Sequence, residues 1–154
     1  MKRFSLFIVF FIFLMSFSAR SFPHCQVPCG IYNDEMRFDM MDEDIDTIEK
    51  CMKMIKELSE EKDKNFNQIV RWVNTKEHHA EKLSETITSY FLAQRLAPVN
   101  KKDKAAYNGY MSKLTLWHEL LYYAMKAKQT TDLEYTEKMR TIVEELEPLS
   151  LGKA

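Results

Sequence analysis

A chain of 154 residues with a formal net charge of −1 is long enough for one domain and carries no basic excess to hold a nucleic acid. Only three glycines and four prolines are present, which argues for long helices and against a turn-rich all-β chain. Three cysteines cannot all pair with one another, so a pure disulfide framework is excluded, and a four-cysteine zinc site is out of reach.

The chain opens on the basic triplet Met1-Lys2-Arg3, and Phe4 to Ala19 then runs without a charge, rich in Phe, Ile, Leu and Val. That pattern reads as a secretory signal peptide, short for a membrane span and without a stop-transfer sequence behind it. An uncleaved anchor is the alternative. Ser16 and Ser18 suit an ordinary signal peptidase, whereas a cut after Pro23 calls for a second step by a maturation protease that trims residues 19–23. The expectation is therefore a leader over 1–23 and a domain over 24–154, exported and free of the membrane after processing. Losing Lys2, Arg3 and Arg20 takes the basic residues from 22 to 19 against 23 acidic ones, leaving a net charge of about −4.

His24-Cys25-Gln26-Val27-Pro28-Cys29-Gly30-Ile31-Tyr32 follows the leader directly. A cut before His24 frees an α-amine on the residue that also carries an imidazole. That amine, the backbone amide of Cys25 and the thiolates of Cys25 and Cys29 can converge as a tetragonal nitrogen and sulfur set. Such a set suits Ni(II) or Cu(II), with the His24 imidazole as a fifth, axial donor. Pro28 restricts the backbone between the two thiols, and Gly30 allows a tight turn after them. Spacing alone leaves a local Cys25–Cys29 disulfide open as another reading.

The nine residues resemble the start of the mature chains of nickel-containing superoxide dismutases, His-Cys-x-x-Pro-Cys-Gly-x-Tyr, at every fixed position. The resemblance implies a nickel hook over residues 24–32 and one nickel per subunit, ligated by His24, Cys25 and Cys29. It implies superoxide as substrate and a four-helix bundle assembled as a homohexamer. It also puts the Tyr32 hydroxyl over the open metal face, ordering water and restricting larger anions. Gln26 stands where members commonly carry an acid. In the better-known branch a glutamate and an arginine hold the axial imidazole. The nearest acid here is Asp39, and His79 takes the arginine's place.

Beyond the hook the periodicity predicts an all-α, up-down antiparallel four-helix bundle over about 40–147. Asn33 to Arg37 reads as a polar connector. Asp42, Glu43, Asp44 and Asp46 crowd the first turn of helix one, followed by Ile45, Ile48, Met52, Ile55 and Leu58 at spacings of three and four. Cys51, on the edge of that stripe, reads as a buried small hydrophobe.

Helix two is predicted from about Asn65 to Arg95, with Phe66, Ile69, Val70, Val73, Ala80, Leu83, Ile87, Tyr90 and Phe91 inward and Glu77 as a polar core position. The neighbouring His78 and His79 read as solvated, as does His118. Pro98 ends this helix, and Asp103 caps a third to about Lys128. Its stripe is Tyr107, Tyr110, Met111, Leu114, Trp117, Leu121, Ala124 and Met125, with Leu116, Tyr122 and Tyr123 left outside for subunit contacts. Thr131-Asp132-Leu133-Glu134 reads as a capping box before the last helix, whose face is Leu133, Met139, Ile142, Val143 and Leu146.

Two other functions fit parts of this pattern. One is a non-enzymatic exported helical bundle with a Cys25–Cys29 disulfide, acting as an interaction module. The other is a copper-trafficking protein using the same N-terminal donors.

Overall fold

The computed structural model describes residues 33–152. The chain divides into two units, Met1–Ile31 and Tyr32–Ala154, and every described residue belongs to the second. The leader over 1–23 and the hook over 24–32 lie outside the described residues.

Four helices form this unit, and no strand occurs among the described residues: α1 (Asp34–Glu60), α2 (Phe66–Glu85), α3 (Lys104–Gln129) and α4 (Glu134–Leu151). A π-helical segment, Thr86–Arg95, continues α2 without a break. Each helix packs on its neighbours in sequence, and α1 also packs on α4, as an antiparallel up-down bundle requires.

α1 begins eight residues before the acid-rich turn that was expected to start it. The Asn33 side chain accepts the Glu35 N–H at 2.9 Å and caps the helix, so the supposed connector is its first turn. Asp103 caps α3 as expected, accepting the Ala106 N–H at 3.1 Å. The capping box ahead of α4 does not form. Asp132 instead accepts the Glu134 N–H at 3.1 Å, and Leu133 occupies the cap position with no side-chain bond. α4 runs through Pro148 and closes on Gly152 at φ 66°, the left-handed conformation that glycine adopts without a Cβ penalty.

Phe38, Phe91 and Trp117 form the aromatic end of the core, with Phe91 stacked on Trp117 at 4.3 Å and Phe38 5.0 Å from Phe91. Met41, Ile45, Ile48, Leu83, Ile87, Leu120, Met139 and Leu146 continue it along the axis. Cys51 is buried among these helices as a free thiol, and burial pushes its pKa up. No described helix is long and apolar enough to cross a membrane.

Two predicted stripes shift. Phe66 and Val70 are 68% and 55% exposed, because the bundle closes on α2 only from Lys76 onward. On α3 the buried residues are Trp117, Leu120, Ala124 and Ala127, so Leu120 takes the place expected for Leu121, while Met111 and Met125 face outward. That rotation packs Leu116 and Tyr123 against the core, and Tyr122 alone of the three proposed contact residues stays exposed.

Arg140 on α4 ties the bundle's outer seam to α1, donating to Asp46 at 2.8 Å and Glu49 at 2.9 Å. Asp42 lies on the same seam, and burial raises its carboxyl pKa, opposed by Arg140 and reinforced by Asp46. A raised acid pKa means that the folded state disfavours the charged form. Its cost is absent below the ordinary carboxyl range and sets in as pH rises through the folded value. Asp42→Asn should therefore raise the melting temperature at neutral pH, by a gain within about 1 kcal/mol for a half-buried group. The gain should vanish when the melt is repeated below about pH 4.

Candidate metal centre and the polar clusters of the bundle

His24, Cys25, Cys29 and Tyr32 all lie outside the described residues. Among the described residues no group of three or more His, Cys, Asp or Glu side chains could hold a metal ion. The side chains that residues 24–32 carry, two thiols and an imidazole, are of the chemical kinds that nickel takes.

The second unit contributes three polar clusters. At the start of α1, Asp34 accepts a hydrogen bond from the Tyr90 hydroxyl and another from Arg95 Nε at 2.9 Å. Arg95 Nη2 donates to the Tyr90 oxygen at 2.6 Å, and its guanidinium lies 4.7 Å from the ring centroid. Arg37 lies 5.2 Å from the same centroid. Burial and then donation to Asp34 raise the Tyr90 pKa, so the phenol keeps its proton throughout the neutral range.

The π-helical segment creates this contact. At about 100° per residue, Tyr90 and Arg95 would stand about 140° apart around an α-helix. With i to i+5 bonding, such as Leu96 N–H to the Phe91 carbonyl at 2.9 Å, residues five apart come onto one face. The local sequence favours the departure. Ser84 donates to the Ala80 carbonyl at 2.8 Å, and Thr88 donates to the Ser84 carbonyl at 2.9 Å. Hydroxyls that bond back to the preceding turn compete with the backbone ladder and bend helices.

Midway along α1, Asp44 is 1% exposed, with His79 Nδ1 2.7 Å and Lys82 Nζ 3.0 Å from the same oxygen. Asp39, the acid expected together with His79 to hold the axial imidazole, is exposed, and the acid that pairs with His79 is Asp44. His79 is thus half-buried and paired, contrary to the expectation of a solvated ring, whereas His78 and His118 are exposed as anticipated. The signal for Asp44 is its spacing. It lies three residues after Met41 and four before Ile48, an acid on the buried stripe of its helix.

The third cluster surrounds Lys76, which is 3% exposed. Its ammonium donates to the carbonyls of Ala127 and Lys128 at 2.6 Å each and of Thr130 at 3.3 Å. These are orphan carbonyls at the end of α3, where a cation also meets the negative end of the helix dipole. Glu77 Oε1 lies 3.4 Å away. Burial lowers the Lys76 pKa, and Glu77 opposes the shift. The polar core position is therefore Lys76 and not its neighbour Glu77, whose side chain is about one-third exposed.

The four packed helices define an all-α bundle, an architecture that small metalloproteins use. The chain matches the family model described as nickel-containing superoxide dismutase over residues 18–150 and belongs to that family. Nickel is accordingly its cofactor and superoxide dismutation its activity. No match was found among curated proteins or among solved structures.

Proposed function

We propose that the protein dismutates superoxide at its own processed N-terminus, with His24, Cys25 and Cys29 as the nickel ligands. The observation that carries this reading is the agreement at all six fixed positions of the nine-residue motif over 24–32, inside the range 18–150 that the family model matches. Nickel, when bound, supplies the one-electron couple, Ni(II)/Ni(III), that takes an electron from one superoxide and returns it to a second. In sum, two superoxides and two protons give dioxygen and hydrogen peroxide.

The chain's own residues make that couple accessible. Thiolates Cys25 and Cys29 are strong anionic donors and favour the higher oxidation state, as does the deprotonated amide of Cys25. The His24 α-amine would complete the set, and its imidazole would be a further nitrogen donor. Tyr32 holds water near the site through its hydroxyl and restricts larger anions. Hook N–H groups donate hydrogen bonds to the bound substrate.

The free amine makes maturation part of the mechanism. While Pro23 is joined to His24, that nitrogen is an amide and offers no amine lone pair, so the unprocessed chain cannot complete the donor set. The same reading includes export through the 1–23 leader, a maturation protease acting after Pro23, and a homohexamer as in the family. N-terminal sequencing of the native protein, with a nickel count and a thiol titration, tests it. The expected result is His24 first, about one nickel per chain and no Cys25–Cys29 disulfide. A chain beginning at Ala19 or Ser21, or an intact disulfide without metal, would favour the non-enzymatic bundle.

A further inference from the structure

We infer that the Asp34–Tyr90–Arg95 cluster is a positioning clasp that fixes the point from which the nickel hook leaves the bundle; the inference rests on the hook reading above. Asp34 is five residues after Cys29, the last proposed ligand, and two after Tyr32. Five residues reach at most about 18 Å, so any play at Asp34 passes directly into the volume that Cys29 must search to meet the metal. A chelating segment on a fixed base holds its donors at higher effective concentration than one on a fraying base.

The first turn of a helix is where fraying is expected, because its N–H groups have no partners within the helix. Here the turn is tied to a residue 61 positions further along the chain. Arg95 grips the Asp34 carboxylate and the Tyr90 hydroxyl together, and Tyr90 itself donates to Asp34. Tyr90 is 6% exposed and sits in edge contact with Phe91, which stacks on Trp117. The clasp therefore connects the first turn of α1 to the buried aromatic end of the core.

The magnitudes set the readout. Asp34 and Arg95 are each about 30% exposed, and half-exposed ion pairs contribute little to global stability. Breaking the clasp should leave the fold nearly as stable as before while loosening the first turn of α1. Asp34 and Arg95 are positioning residues under this inference.

The test compares Asp34→Ala and Arg95→Met in the matured full chain with Arg140→Met, which removes an ion pair of the same kind further along α1. Nickel release to excess chelator should be about tenfold faster in the first two variants and unchanged in Arg140→Met, with all three keeping native helicity. In the nickel-free chains, amide exchange over residues 35–38 should speed up by a similar factor in the first two variants only. Native release rates in Asp34→Ala and Arg95→Met, or equally fast release from Arg140→Met, would overturn the inference. So would unchanged exchange, which is read without metal. A native protein that takes up no nickel would instead sink the hook reading, and the clasp's purpose with it.

Discussion

Replacing Cys25 by serine should strip the matured protein of its nickel and its dismutase activity together, while the helical bundle stays folded. A hydroxyl cannot replace a thiolate here, because it is harder, holds its proton at neutral pH and gives little electron density to a metal that must reach a higher oxidation state. Nickel content should fall below about one-tenth per chain and turnover to the solution background. The helices should not respond. Among the described residues the core runs from Phe38 to Leu146, and Cys51 is a free buried thiol. Metal analysis, activity and far-ultraviolet circular dichroism on one preparation check all three points. A non-enzymatic bundle with a disulfide would lose only a bridge and would show no metal to lose.

The largest stability effect is expected at Lys76. Lys76→Ala removes a charged donor from three carbonyls at the end of α3 and empties the space its buried stem fills. Hydrogen bonds to a charged group are worth about 1.5–3 kcal/mol net, and the freed carbonyls gain some water from the open groove formed with Lys128, Gln129 and Thr131. A loss of about 3 kcal/mol follows, read as a lowered midpoint in urea with unchanged slope. Lys76→Met restores the stem but not the ammonium and should recover less than half of that loss. Full recovery by methionine would show that Lys76 acts by packing alone.

The contrast between Lys76 and Glu77 shows what the sequence could and could not disclose. Apolar residues at spacings of three and four were enough to place four helices and their order, because a helix buries one stripe whatever its partners are. The same spacings also show that helix two carries a charge among its core positions. They could not show that the charge belongs to Lys76, because its partners are carbonyls of residues 127–130, more than 50 positions away. Phe66 and Val70 fit the helical period and still stand in solvent, since a period says nothing about where the neighbouring helices end. Leu120 and Leu121 are adjacent leucines, and only the packing of α3 decides between them.

The clasp was hidden for a different reason. Tyr90 and Arg95 meet only in π-helical geometry, whereas the reading of helix two assumed 3.6 residues per turn. Asp44 was legible in principle as an acid on an apolar stripe, but its place beside Asp42, Glu43 and Asp46 made it look like part of a charged first turn. The hook reading is local by nature: the nine residues 24–32 hold an imidazole and two thiols in one run, so the proposal needs no tertiary partner to be stated, and these residues lie outside the described ones.

The central claim is tested most directly by removing nickel from the matured protein with a chelator under reducing conditions and then titrating the metal back. Activity should fall to the background on removal and return in proportion to nickel, reaching its plateau at about one equivalent per chain. Full superoxide dismutation by the nickel-free protein would contradict it.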